Sequence, residues 1–288
     1  MNDVFKKPGF WLATAALVFL LGLALYFWNQ NNKAVVVTSE PVTSAPSAPP
    51  PSAPAVVAPD NAVKYPLPES PMKLADKADA DKDKVNKLPP PDDSDSLMNE
   101  LIAGLIGSKP FAEFFQASGM VRRLTAAIDN LPRDKVASRL NPLKPIAGAL
   151  AITGADDSLA LSAGNYSRYQ TFVDFASGVD TRKIVDAYQR FYPLFQQEYR
   201  ALGYPDKYFN DRVVEAIDDL LAAPTLTEPA KLMQPKVQYQ YADPALESLS
   251  HGKKAMIRLG PENANRLKAK LREIRDAITS ASDRKSVV

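Results

Sequence analysis

The chain opens with an uninterrupted apolar run. Residues 10–28 carry no charged side chain, and the two tryptophans of the chain lie near its two ends. At about 1.5 Å of rise per residue this run forms a helix of roughly 28 Å, close to the thickness of a bilayer core. Lys6 and Lys7 precede the run, so the positive-inside rule places residues 1–9 in the cytoplasm and the rest of the chain outside.

A cleaved signal peptide is the alternative interpretation of this run. Signal peptides normally have an apolar core of about 7–15 residues that ends at a small-x-small cleavage site. Here the run is longer, and the polar residues 29–33 (NQNNK) that follow it lack that pattern. We therefore interpret residues 10–28 as a retained anchor in the lipid bilayer.

A stretch rich in proline, alanine and serine follows the anchor and passes into alternating lysine and aspartate. Few bulky apolar side chains are available there to offset the entropy lost on ordering. The composition predicts a disordered linker over residues 29–91, with polyproline II favoured at residues 46–54. Such a linker lets a folded domain act away from the bilayer.

Apolar residues then recur at three- and four-residue steps, which predicts a compact, mainly α-helical domain over residues 92–280. A further helix holds Phe172 and Phe175, and Pro193 is expected to kink or restart the longest helix. Residues 281–288 are predicted to form a disordered tail. The other predicted helices lie near residues 97–106, 110–117, 120–131, 180–202, 207–222, 244–249, 252–259 and 261–280.

Short apolar segments that flank a turn predict a small β-hairpin in the same domain. Residues 149–153 and 158–161 are its two strands, and Gly154, Ala155, Asp156 and Asp157 form the turn. Residues 237–241 are expected to be extended. Because two strands alone are marginally stable, the hairpin must pack against helices.

Composition restricts the chemistry of this domain. A net charge of +2 gives no electrostatic argument for a nucleic-acid partner. The absence of cysteine excludes thiolate metal sites and cysteine nucleophiles, and a single histidine, His251, excludes a multi-histidine zinc site. The sequence contains no glycine-rich phosphate loop and no nucleophile elbow. We therefore predict no cofactor, no metal site and no nucleic-acid partner, and leave catalysis undecided.

The densest polar cluster lies between two predicted helices, where it could form a hydrogen-bonded pocket or bind a sugar or a peptide. The favoured alternative is structural, with Asp206 capping a helix and an Asp211–Arg212 network tying helices together. A similar pair, Asn165 and Arg168, lies at another helix start. The candidate residues of the main cluster are Tyr204, Asp206, Tyr208, Asn210, Asp211 and Arg212.

The last predicted helix carries a row of basic residues that could contact a partner or anionic lipid. A solvated helix face is the favoured interpretation. The row consists of Arg266, Lys268, Lys270, Arg272 and Arg275.

Several short motifs are specific when they are taken together. They are residues 88–95 (LPPPDDSD), 165–169 (NYSRY), 192–195 (YPLF), 202–205 (LGYP), 208–212 (YFNDR), 242–244 (ADP) and 259–263 (LGPEN). This set resembles a family of bacterial membrane proteins catalogued as domain of unknown function 3014, over about residues 88–276. The resemblance implies an anchored envelope protein of Gram-negative bacteria and supplies no activity or catalytic residue.

The anchor, the linker and the lack of a catalytic grouping favour a non-enzymatic module of the inner membrane. Its domain would lie in the periplasm and bind an envelope protein or a cell-wall component. One alternative is a hydrolase or lyase that uses Asp211, supported by Arg212 or Tyr208, which requires Asp211 to lie in a concave pocket. Another is a small-ligand sensor, which needs a separate signalling partner because only nine residues precede the anchor.

Overall fold

The structure, a computed structural model, describes residues 62–67, 90–134, 140–144, 149–155, 158–235 and 237–283. The predicted anchor, most of the predicted linker, Asp156 and Asp157 of the predicted turn, and residues 284–288 lie outside these ranges. Within the described ranges, no helix is both long and apolar enough to cross a membrane.

The described part of the chain forms nine α-helices and two short β-hairpins, which confirms the predicted mainly α domain. A 3-10 turn, Pro91–Asp93, precedes the first helix. The helices are α1 (Asp95–Ile106), α2 (Ser108–Phe114), α3 (Met120–Asn130), α4 (Gly164–Gly178), α5 (Thr181–Ala201), α6 (Phe209–Leu221), α7 (Pro244–Glu247), α8 (His251–Leu259) and α9 (Pro261–Asp283). The strands are β1 (Ile152–Thr153), β2 (Ala160–Leu161), β3 (Leu232–Met233) and β4 (Gln240–Tyr241).

The core lies where α9 packs against α4, α5 and α6, and where α3 packs against α5 and α6. The aromatic residues that helical spacing predicts to face inward are buried there, among them Phe191 and Phe195 of α5 and Phe209 of α6. The rings of Phe195 and Phe209 stack with their centroids 5.8 Å apart. The aromatic side chains at helical spacing along α5 therefore form part of the hydrophobic core.

Helix α5 runs without interruption from Thr181 to Ala201, although Pro193 lies inside it. Asp180 is the N-cap of the helix, because its side chain accepts hydrogen bonds from the backbone N–H groups of Arg182 and Lys183. The predicted restart at Pro193 is wrong. Leu194 and Phe195 are buried beside the proline, and this packing offsets the missing backbone hydrogen bond.

Both hairpins are short and antiparallel. In the first, which was predicted, Ile152 lies opposite Leu161, and in the second Leu232 lies opposite Tyr241. An isolated bridge between residues 160 and 231 joins the two hairpins. Leu161, Leu232 and Tyr241 form a second buried cluster with Ile257 of α8. Strand β3 was missed because it is only two residues long and lies between prolines.

The basic row of α9 connects helices, which corrects the expectation of a solvated face. Lys268 and Lys270 are buried, and their ammonium groups donate to the backbone carbonyls of Ala223 and Val179. These carbonyls lie at the C-terminal ends of α6 and α4, where a positive charge is favourable. Two further residues of the row form ion pairs to α4 and α6: Arg266 with Asp174 at 2.6 Å and Arg275 with Asp218 at 2.5 Å. Arg272 is exposed.

Candidate functional site

Residues 62–67, the docked segment, lie against the N-terminal end of α6 and bend at Lys64 and Tyr65. Tyr65 and Leu67 are half-buried against the core, whereas Pro66 between them is exposed. The bend turns two successive backbone N–H groups toward the same side, which an extended strand does not do. The sequence predicts disorder throughout residues 29–91, and the docked segment differs because its partners lie some 145 positions further along the chain.

Asp211 binds the main chain of the docked segment. Its two carboxylate oxygens accept hydrogen bonds from the backbone N–H groups of Lys64, at 3.1 Å, and Tyr65, at 2.8 Å. Hydrogen bonds to an ionised acceptor are stronger than those between neutral groups. Asp211 also lies in the first turn of α6, where the helix dipole favours a negative charge. This carboxylate therefore recognises backbone amides.

Asn210 and Tyr208 bind the same main chain on either side of Pro66. The fully buried side chain of Asn210 donates from Nδ2 to the carbonyl of Tyr65, at 2.8 Å. The hydroxyl of Tyr208 accepts from the backbone N–H of Leu67 at 3.0 Å. Three of the predicted candidates, Tyr208, Asn210 and Asp211, thus meet at one groove within a single helical turn.

Side chains of α5 hold this groove in place. The hydroxyl of Tyr192 donates to Gln196 Oε1 at 2.9 Å, and the same oxygen accepts from the backbone N–H of Phe209 at 2.8 Å. Gln196 Nε2 donates to the carbonyl of Lys207 at 2.8 Å. Burial, with the hydrogen bond to Tyr208, raises the pKa of Tyr192 well above its ordinary range. Gln196 was missed, although its position four residues after Tyr192 on a buried stripe was an available signal.

Asp129 of α3, which no sequence pattern singles out, collects two other candidates. Its Oδ1 forms an ion pair with Arg212 Nε at 3.1 Å, and its Oδ2 accepts from the Tyr204 hydroxyl at 3.3 Å. Arg133 pairs with Oδ2 at 2.8 Å and donates to Tyr204 as well. The Asp129 carboxylate is only 9% exposed and the Arg212 side chain 12%. This cluster ties α3 to α6 and to the turn before α6.

The structural alternative for the polar cluster was an Asp206 cap and an Asp211–Arg212 network, and the structure shows different partners for these residues. Arg212 does tie α6 to α3, but it does so through Asp129 rather than Asp211, and its second ion pair, with Glu215, lies within α6. Asp206 is exposed and does not cap α6, since Tyr208 occupies the N-cap position without a side-chain hydrogen bond. Neighbouring residues on a helix point about 100° apart, so Asp211 and Arg212 face different surroundings.

Asn165 and Arg168 lie apart from the groove and hold β1 to α4. The Asn165 side chain donates to the carbonyls of Ala151, at 2.6 Å, and Ser162, at 2.8 Å, and accepts from the Ala151 N–H at 3.0 Å. Arg168 donates to the carbonyl of Ala149 at 2.7 Å. These hydrogen bonds join the start of α4 to the residues that flank the first hairpin.

An open cleft of about 470 Å³ lies beside the docked segment. The Lys207 ammonium lies 5.5 Å from the centroid of the Tyr204 ring, which stacks on Tyr199 at 4.6 Å. The cleft is lined by both signs of charge, and among the described residues no group of three histidine or acidic side chains could hold a metal ion. Its walls are formed by Ala62, Lys64, Tyr65, Asp129, Arg133, Tyr204, Lys207, Arg212 and Glu215, together with other residues of α6 and the preceding turn.

The hydrolase or lyase alternative requires Asp211 in a concave pocket with Arg212 or Tyr208 in support. Asp211 does line the cleft. However, its two carboxylate oxygens accept backbone N–H groups, and Tyr208 accepts a third. Arg212 is engaged by Asp129. The arrangement therefore favours binding of main chain over proton transfer.

Tyr199, buried below the cleft, gives a testable pH dependence. Burial and then the charge of Asp129 raise its pKa to about 12. The folded state favours the neutral phenol, so this stabilisation is complete below about pH 10 and is lost as pH rises through 12. Between pH 8 and pH 12, the free energy of unfolding of the wild type should fall by about 2–3 kcal/mol more than that of Tyr199→Phe. Chemical denaturation of both proteins at both pH values measures this difference. Equal losses in both proteins contradict this assignment.

The fold and the groove define an α-helical domain that holds a short stretch of polypeptide through its main chain. Residues 120–275 match the family described as Protein of unknown function (DUF3014), and the match covers more than half of the chain. The protein belongs to this family. Neither a curated protein nor a solved structure matches the chain. The matched region contains Asp129 and residues 208–212, whereas the docked segment lies before it.

Proposed function

We propose that this protein is a non-enzymatic, membrane-anchored module that binds a peptide segment of an envelope protein. The observation that carries the proposal is the groove at the start of α6, where Tyr208, Asn210 and Asp211 bond to main-chain groups of the docked segment. Recognition through main-chain hydrogen bonds, with pockets for alternate side chains, is a common way to bind extended peptides.

The geometry supports a protein ligand over a cell-wall glycan. One carboxylate accepts two successive backbone N–H groups, and the adjacent asparagine donates to the following carbonyl. That order of donors and acceptors repeats along a polypeptide. The three side chains lie on one helical turn. Asn210 accepts from the buried Tyr188 hydroxyl, and the Phe209 backbone donates to Gln196, so this turn is fixed independently of the docked segment.

The membrane part of the proposal has residues 10–28 as the anchor in the inner membrane, with the N-terminus in the cytoplasm and the domain in the periplasm. Because the chain has no cysteine, single cysteines report topology without background. A membrane-impermeant maleimide applied to intact spheroplasts should label Glu262→Cys, at the exposed start of α9, but should label Asp3→Cys only after lysis. The opposite labelling pattern would refute this topology.

The binding part of the proposal is tested in cells by site-specific photo-crosslinking of the full-length chain. A photoreactive residue at Lys207 or Glu215, both exposed at the edge of the cleft, should crosslink to a protein. The same residue at Glu262 is the control, and Asp211→Asn should reduce the groove-edge product. Equal yields at all three positions, or yields that ignore Asp211→Asn, contradict binding at the groove.

A further inference from the structure

We propose that the docked segment is a replaceable occupant, and that its groove exchanges it for a partner protein's segment of the type aromatic–proline–aliphatic. This inference rests on the proposed function and names the class of ligand. Residues 65–67 (YPL) are the example of this class that the structure shows in place. The proposal is derived from the main chain, the side chains and the unfilled space of the groove.

The main-chain contacts decide where proline is allowed. The backbone N–H groups of Lys64, Tyr65 and Leu67 donate to the groove, so proline at any of these positions removes a hydrogen bond. The position between Tyr65 and Leu67 makes no such donation, and Pro66 occupies it. Of these positions, the central one is therefore the one that accepts proline without losing a hydrogen bond.

The side-chain contacts decide which residues flank the proline. Tyr65 and Leu67 are half-buried and pack against the core, so an aromatic and an aliphatic side chain are selected. Tyr65 also interacts electrostatically with Arg275, whose pKa is raised first by its hydrogen bond to Asp218 and to a smaller extent by this tyrosine. Pro66 is exposed, so its side chain adds no selection.

The contacts of the docked segment are few, which makes exchange possible. A handful of hydrogen bonds and two half-buried side chains bind weakly between separate molecules. In this protein the segment and the groove belong to one chain, so the segment binds at an effective concentration on the order of millimolar. The cleft of about 470 Å³ beside Ala62 and Lys64 is not filled by the segment. A partner segment with larger side chains at these positions gains contacts that the protein's own segment lacks.

The test measures binding of a fluorescent synthetic peptide to the full-length protein in detergent micelles by anisotropy. The probe has the sequence of residues 60–69 (DNAVKYPLPE). The released variant, Tyr65→Pro/Leu67→Pro, removes two backbone donors and both packed side chains from the protein's own segment. It should bind the probe at least about tenfold more tightly than the wild type, in which the docked segment competes at its own high effective concentration.

Variants of the groove show whether the probe binds at α6. In the released background, Asp211→Asn should weaken binding about tenfold, because it replaces a charged acceptor of two hydrogen bonds. Tyr208→Phe, a second and milder variant, should weaken binding severalfold. Glu262→Gln, an exposed carboxylate at the start of α9 and away from the groove, is the control and should leave affinity unchanged. Circular dichroism confirms that each variant is folded.

Two results of the peptide assay would overturn the proposed exchange of segments, and the crosslinking experiment distinguishes its failure from that of the proposed function. The control peptide has proline at both positions that flank the central proline. If the released variant binds the probe no more tightly than it binds this control peptide, the groove does not recognise the proposed class. Equal affinity in wild type and released variant shows that the docked segment does not occupy the binding site. If groove-edge crosslinking in cells succeeds while the probe fails, the proposed function stands and this inference fails. If the probe binds as expected but no protein crosslinks, the recognition class stands and the cellular partner is refuted.

Discussion

Replacing Asp129 with alanine is expected to lower the free energy of unfolding by about 3–5 kcal/mol. The Arg212 side chain is only 12% exposed and has its main carboxylate partner in Asp129, at 3.1 Å. Removing that partner leaves a largely buried guanidinium with one carboxylate, Glu215, whose side chain is 60% exposed, and with the backbone carbonyl of residue 129. It also removes the acceptor of Tyr204 and an ion pair of Arg133. The cost is that of an uncompensated buried charge rather than of one lost contact.

Thermal unfolding of the full-length protein, followed by circular dichroism, measures this effect as a fall in Tm of about 10 °C. Asp218→Ala is the matched control, because it breaks an arginine–aspartate pair whose side chains are 30% and 46% exposed. Exposed pairs of this kind contribute about 0–1 kcal/mol. If Asp129→Ala and Asp218→Ala shift Tm equally, Asp129 is not the hub of the contact between α3 and α6.

Replacing Gly260 with alanine is expected to destabilise the domain by about 2–4 kcal/mol. Gly260 ends α8 at φ +82°, in the region that side chains rarely adopt. A Cβ atom built there lies 2.5 Å from Cγ of Tyr166, so the ring must move from its packed position. Backbone strain and overlap with the ring therefore add together.

Gly203→Ala separates these two causes. Gly203 also has a positive φ, +105°, but a Cβ atom there meets nothing within 4 Å. We expect this variant to lose about 1–2 kcal/mol from backbone strain alone. Urea denaturation of both variants gives the difference. A Gly260→Ala effect no larger than that of Gly203→Ala means that Tyr166 moves aside at little cost.

Local signals explain which parts of the fold were predictable. Helix α5 follows from the Asp180 cap and from aromatic residues at helical spacing, since both lie within the helix itself. The first hairpin follows in the same way from apolar segments around a turn. Strand β3 and the continuity of α5 through Pro193 depend on packing with distant residues, so no window of sequence contains their cause.

The candidate site divides along the same line. Tyr208, Asn210 and Asp211 were found because polar residues are dense before and within the first turn of α6. Their ligand was not found, because the hydrogen bond from Tyr65 to Asp211 joins residues 146 positions apart. Asp129 escaped notice for the same reason, since its ion pair with Arg212 spans 83 positions. The sequence around Asp129 does not indicate which arginine it pairs with.

The docked segment also changes how force enters the domain. While Asp211, Asn210 and Tyr208 hold it, a pull on the chain before Ala62 is borne by α6, at the centre of the core. In the proposed exchange the segment leaves, and the same pull is then borne at Pro90. The 28 positions from Ala62 to Pro90 span on the order of 90 Å when fully extended. Occupancy of the groove thus decides at which point of the domain a pull from the N-terminal side acts.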